Sequence, residues 1–317
     1  MKYLKKKRFP ILFMCLCLLL SICSCSKKKE EPVPSISELT DDSDPSKKGT
    51  RDNTPVVLVP TADGIEVYSC PVASIDASNS SDGYIIVDYF GTNSKVKLQI
   101  TGPDSVTYTY NLHGGQEVFP LTAESGSYVI NVFENIQGTQ YATVLTSAIE
   151  VNLTNEFGPY LYPNQYVNFN ASSLPISMAQ KLAYRANEDL EVVQNVYNYI
   201  IATFSYDYDK AKTVQSGYLP DVDEIYRINT GICFDYAAVM ATMLRSQRIP
   251  TRLEVGYMGE QYHAWISTYI KDVGWVNGII EFDGTNWKLL DPTFASTSKS
   301  PQKFITENNK YITKYLY

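Results

Sequence analysis

Three residues in the C-terminal half have the types and the order from which a thiol enzyme is built. Cys233 lies in Asn229-Thr230-Gly231-Ile232-Cys233-Phe234-Asp235-Tyr236, where polar residues and a glycine lead into an Ala/Met-rich run ending at Arg245. The run predicts a helix with Cys233 at or just before its first turn. Free backbone N–H groups and the positive end of the macrodipole lie there. Both favour a thiolate, and cysteines so placed can have a pKa lowered from ~8.5 to as little as ~3.5. The same N–H groups can receive an oxyanion. A buried cysteine that only packs the helix start fits the segment equally well.

A thiol nucleophile needs a base. The chain has two histidines, and His113 precedes Gly114-Gly115 in a predicted hairpin loop. His263 lies in Tyr262-His263-Ala264-Trp265-Ile266-Ser267-Thr268-Tyr269, a strand by its β-branched and aromatic content. Alternation along a strand puts His263 and Trp265 on one face. A third polar group must fix the imidazole tautomer. Trp287-Lys288-Leu289-Leu290-Asp291-Pro292 reads as a strand ending at Asp291, because Pro292 cannot continue a central ladder. Asp291 can accept from the ring and aim its other nitrogen at the sulfur. Turn initiation before proline is the competing use of such an aspartate.

From 188 to 204 apolar residues recur at three- and four-residue spacings (Leu190, Val193, Val196 or Tyr197, Ile200, Ile201, Phe204), a helix with Asn187 as N-cap. Residues 159–175 are a Tyr/Asn/Pro-rich connection. Between 55 and 153 the text has period two, clearest in Val96-Lys97-Leu98-Gln99-Ile100-Thr101 and Val106-Thr107-Tyr108-Thr109-Tyr110-Asn111. Other predicted strands are 56–59, 65–69, 84–90, 117–121, 127–133 and 141–153. Seven or eight short strands in about 100 residues suggest an immunoglobulin-like β-sandwich. Most of the 25 tyrosines fall in strand-like runs and read as sheet packing.

The N-terminal end has a different character. Lys2, Lys5, Lys6, Lys7 and Arg8 precede the apolar run 9–20, which is shorter than a membrane span of ~20 residues but long enough for a signal-peptide core. It ends in Leu20-Ser21-Ile22-Cys23-Ser24-Cys25, which resembles a bacterial lipoprotein signal. That resemblance implies cleavage after Ser24 and a lipid anchor on Cys25, whose two acyl chains suffice for stable anchoring. Residues 1–24 are thus read as signal and 25–54, poor in apolar residues, as a disordered tether. Without the signal the chain holds 22 basic and 34 acidic residues, net −12, with no basic stripe for nucleic acid. Of six cysteines, Cys25, Cys70 and Cys233 then remain, too few for a disulfide framework. Two thiols and two histidines do not suggest a four-ligand zinc site. Asp221-Val222-Asp223-Glu224 is too short for a calcium loop. No cofactor is implied.

Gly231-Ile232-Cys233-Phe234-Asp235-Tyr236-Ala237, Arg248-Ile249-Pro250-Thr251-Arg252, His263-Ala264-Trp265 and Asp291-Pro292-Thr293 together resemble the bacterial transglutaminase-like superfamily over residues 176–300. The resemblance implies an α+β papain-like domain, here 154–317, with Cys233 as nucleophile, His263 as base and acid, and Asp291 as its orienting partner. It also implies acyl transfer or hydrolysis at peptide or amide bonds, and the exported position suggests a peptide or protein substrate at the cell envelope or outside. A catalytically idle binding or scaffolding lipoprotein is the alternative. Animal transglutaminases carry an upstream tryptophan as oxyanion donor, whereas all three tryptophans here follow Cys233. Tyr206, Tyr208 and Gln215 are the candidates for that role. Asp235, in the first helical turn, is read as structural, since a carboxylate beside the sulfur opposes ionisation.

Overall fold

Alternating burial turns the period-two text into two four-stranded antiparallel sheets. The computed structural model describes residues 35–277, 280–282, 287–289 and 311–317; residues 1–34 with Cys25, and Asp291, lie outside them. The strands are β1 (Val67–Ser69), β2 (Ala73–Asp76), β3 (Tyr84–Tyr89), β4 (Val96–Thr101), β5 (Thr107–Leu112), β6 (Gly115–Pro120), β7 (Gly126–Gln137) and β8 (Gln140–Val151). They form sheets ordered β1-β2-β3-β6 and β5-β4-β7-β8. Ile75, Ile85, Val87 and Phe119 of the first sheet share one buried core with Leu98, Tyr110, Ile130 and Val132 of the second. The Tyr110 and Phe119 rings meet across the sheets at 4.8 Å. Each such side chain contributes ~1.5–3 kcal/mol on full burial. Residues 56–59 are not a strand: the Val56 N–H donates to the Ser246 carbonyl instead. The short, Ser/Asp-flanked β2 was not legible as a strand.

The tether expected over 25–54 does not hold for residues 35–54, which pack on the C-terminal half. A capped single turn, α1 (Ile36–Leu39), buries Leu39. Gly49 and Arg51 donate their backbone N–H groups to the Tyr184 and Ala186 carbonyls at 2.9 and 3.1 Å. The Arg51 side chain pairs with Asp189 at 2.7 Å and reaches Gln247, while Arg185 pairs with Asp41 at 2.6 Å. Few apolar residues are needed because backbone and guanidinium hydrogen bonds do the anchoring.

The C-terminal half is α2 (Leu174–Leu182), α3 (Asp189–Thr203), β9 (Ser205–Tyr206), α4 (Tyr208–Thr213), α5 (Val222–Ile228), β10 (Thr230–Gly231) and α6 (Cys233–Ser246). Then come β11 (Thr251–Met258), β12 (Gln261–Ile270), β13 (Gly274–Asn277), β14 (Ile280–Phe282), β15 (Trp287–Leu289) and β16 (Tyr311–Leu316). A four-stranded antiparallel sheet is ordered β13-β12-β11-β16, and β14 pairs with β15. In α3 the predicted cap shifts by one residue: Glu188 is the N-cap, and the Asn187 N–H donates to the Glu191 carboxylate. Helix α6 is buried from Asp235 to Ser246, with small Ala237, Ala238 and Ala241 among its buried residues. It packs against β12 and β11 on one side and α2, α3 and α5 on the others.

Arg245, 1% exposed, closes this core. Its guanidinium donates to the carbonyls of Tyr162 (2.7 Å), Thr251 (2.9 and 3.1 Å) and Tyr317 (2.8 Å). Burial pushes its pKa down to about 9. One side chain thereby joins the connection after the sandwich to the start of β11 and to the residue that follows β16.

Candidate functional site

Cys233 is the first residue of α6, as the run from Asn229 predicts. Its placement depends on a two-residue parallel bridge in which Thr230 pairs with Ser205 and Gly231 with Tyr206. Gly231 is needed there, since a Cβ would lie 2.6 Å from the Asp235 Cβ. The bridge brings Tyr206 to the cysteine, and its hydroxyl hydrogen-bonds both the backbone N–H and the Sγ of Cys233. The Ala264 and Phe234 N–H groups also favour the ionised sulfur. Burial nevertheless outweighs these donors and holds the thiol above its ordinary pKa, with the Asp235 carboxylate adding to the rise. This corrects the expectation of a depressed value: a helix start lowers a thiol pKa only where desolvation does not exceed it.

His263 lies on β12 opposite Gly256 of β11. It is 5% exposed, and burial pushes its pKa down to about 4. Its ring stacks beside Trp265 at 6.2 Å, on the shared face that strand alternation predicts. Cys233 and His263 line one cavity of about 500 Å³, and both also border a smaller cleft with Met240 and Ile266. Asp291 lies outside the described residues.

Behind the cysteine is a buried polar triangle. Asp235, with no exposed surface, accepts from Lys210 Nζ (2.6 Å), the Tyr218 hydroxyl (2.7 Å) and the Ile232 N–H (2.9 Å). Lys210 Nζ also donates to the Tyr218 oxygen at 2.7 Å. The group ties α4 and the loop after it to the turn that presents Cys233, and this structural use of Asp235 matches the sequence reading.

Of the three oxyanion candidates, Tyr206 alone reaches the sulfur. Burial, with the Cys233 sulfur nearby, pushes its phenol up to about 12, so it keeps its proton and stays a donor. Tyr208 is 54% exposed, packs its ring against Tyr206 at 5.0 Å and does not line the cavity. Gln215 lines the cavity, with one of its two amide N–H groups donated to the Thr213 carbonyl at 2.7 Å.

Six tyrosines line the cavity: Tyr166, Tyr206, Tyr218, Tyr262, Tyr315 and Tyr317. Reading the tyrosines as sheet packing alone therefore missed a wall of the site. Tyr262 was recoverable as the neighbour of His263; Tyr315 and Tyr317 were not, being far from Cys233 in sequence. Among the described residues lining the cavity none is Asp, Glu, Lys or Arg.

Residues 176–278 match the family model described as the transglutaminase-like superfamily. No curated protein matches the sequence. Among solved structures the chain is similar to a candidate cysteine protease from Cytophaga hutchinsonii, at 14% identity and TM-score 0.32, with 67% of each chain covered. It is also similar to the periplasmic domain of TgpA from Pseudomonas aeruginosa, at 14% identity and TM-score 0.30, covering 74% of this chain and 77% of that one. The transglutaminase of red sea bream is similar at 13% identity and TM-score 0.25, over 66% of this chain and 48% of that one. The chain carries a transglutaminase-like domain over residues 176–278.

Proposed function

We propose that this chain is an envelope-anchored thiol enzyme that attacks peptide or amide carbonyls through Cys233, His263 and Asp291. The observation that carries the reading is the shared cavity: a cysteine at a helix start, with donors already aimed at it, opens onto the same space as the chain's one buried histidine. The Cys233 proton passes to His263 as the S–C bond forms. The Tyr206 hydroxyl turns from the sulfur to the oxyanion, and the Cys233 N–H, released from the Tyr206 oxygen, joins it. The C–N bond then breaks, and the departing nitrogen takes the proton from His263. Water gives a proton to the imidazole, adds to the thioester and releases a carboxylic acid, and the proton returns to sulfur. Asp291 holds the ring in the required tautomer. Water rather than a second amine completes the cycle, in keeping with the absence of a tryptophan upstream of Cys233. Lipid on Cys25 anchors the enzyme, and the two sheets of residues 67–151 are an immunoglobulin-like module.

Cys233→Ala and His263→Ala are each expected to lower ammonia or peptide release by ~10³-fold or more. Asp291→Ala tests the third member in the same assay. Amine incorporation far outpacing hydrolysis would redirect the last step, and an unchanged rate in Cys233→Ala would place the chemistry elsewhere. Cys25→Ser should move the protein from the membrane to the soluble fraction; retention there would refute the anchor.

A further inference from the structure

The cavity is not built by the transglutaminase-like domain alone, because Thr109 of β5 lines it as well. Strand β5 is at the edge of its sheet, with β4 as its strand partner. Two independent observations establish which of its backbone groups face outward. The Gly102 N–H donates to the Val106 carbonyl at the mouth of the β4–β5 hairpin, so the 102–106 pair is hydrogen-bonded. With the register Thr101↔Thr107, Gln99↔Thr109 and Lys97↔Asn111, antiparallel alternation makes these three pairs the non-bonded ones. The Asn111 carbonyl then points away from β4, and it accepts the Gln165 side-chain amide at 2.8 Å from that side. Thr109, two residues earlier, therefore turns its N–H and C=O toward the open edge. The loop at Gly217 packs on the Asn111 side chain, where a Cβ would lie 2.3 Å from Nδ2. With the Asn111 carbonyl taken by Gln165, the outward backbone groups of Thr107 and Thr109 remain on this edge, and Thr109 borders the Cys233 cavity.

We propose that the substrate is an extended peptide with uncharged side chains around the reacting amide, bound as an added strand on the β5 edge at Thr109. The inference rests on Cys233 as nucleophile and adds what selects the substrate. An exposed edge offers backbone hydrogen bonds to any extended chain, and the pockets beside it supply side-chain preference. Here those pockets are tyrosine faces without a charged side chain among the described lining residues, which disfavours a buried unpaired charge on the peptide. The sandwich is on this account half of the substrate site.

The test uses covalent labelling of the full mature chain by peptidyl chloromethyl ketones, in which the sulfur displaces chloride to form a thioether. Acetyl-Thr-Val-Thr-Ala-chloromethyl ketone should modify Cys233 at least tenfold faster than acetyl-Ala-chloromethyl ketone. Thr109→Pro should erase that ratio, because proline removes an outward N–H that an edge strand does not need for its own sheet. As a second measurement that leaves the protein unaltered, N-methylation along the longer ketone should slow labelling at every second residue only. An equal rate for both ketones, or no periodicity in the methylated series, overturns the strand-addition proposal while leaving Cys233 as nucleophile. Failure of both ketones to modify Cys233 overturns the thiol reading itself.

Discussion

Burial acts on the two reacting groups in opposite directions, holding the Cys233 thiol above its ordinary value and pushing His263 down to about 4. At neutral pH both are therefore uncharged at rest, and the proton moves only as sulfur attacks. A base must be unprotonated to act, so the acid limb of kcat/KM should fall below the ordinary histidine value of 6.5, with the Asp291 carboxylate offsetting part of the shift that burial causes. A pH–rate profile losing half its activity at pH 6.5 would contradict this. Iodoacetamide labelling of Cys233 reports thiolate and should be slow at pH 6 and still rising beyond pH 9, the ordinary value; a plateau below pH 7 would show an activated thiolate instead. His263 also links to stability. Its folded pKa lies below its unfolded one, so its contribution is complete above about 6.5 and is lost as pH falls toward 4, by about 3 kcal/mol at most. Urea midpoints measured from pH 7 to 4 should fall less steeply in His263→Phe.

At the scale of elements, α6 is held at both ends by buried polar groups. At its start Asp235 serves three donors, and at its end Arg245 serves three carbonyl-bearing residues. Removing one partner of such an arrangement leaves the others desolvated and unpaired. Asp235→Ala should cost about 3 kcal/mol by urea unfolding and slow Cys233 labelling, because the turn that presents the sulfur loses its tie to Lys210 and Tyr218. Arg245→Met keeps the volume but strands the carbonyls of Tyr162, Thr251 and Tyr317, with an expected loss of about 2–4 kcal/mol. A loss under about 0.5 kcal/mol, within the range of an ordinary surface change, would mean that the carbonyls find other donors.

Across the whole molecule, residues 35–54 belong to the folded body. Deleting them removes the Arg51–Asp189 and Arg185–Asp41 pairs and the backbone bonds to Tyr184 and Ala186. The deletion should lower Tm by several degrees, on the usual scale of 2–8 °C per kcal/mol, and limited proteolysis of the intact chain should spare 35–54. Rapid cleavage within that stretch would restore the tether reading. Among the described residues no helix is long and apolar enough to cross a membrane.

What the sequence determined by itself were the local features. The position of Cys233 at a helix start, the strand carrying His263 beside Trp265, and the strands β4 and β5 all follow from spacing over a few residues, where period and capping dominate. The family resemblance lay in short motifs of the same local kind. Tertiary structure decided the rest. Burial reversed the expected shift of the thiol, and whether a helix start or desolvation prevails depends on surrounding atoms that no local window contains. Tyr206 was separated from Tyr208 as the donor by a two-residue parallel bridge. The segment 35–54 was ordered by arginine hydrogen bonds to residues more than a hundred positions away. Thr109 entered the site because a sandwich strand and the Cys233 helix meet at one cavity, a juxtaposition set by packing between elements distant in the chain.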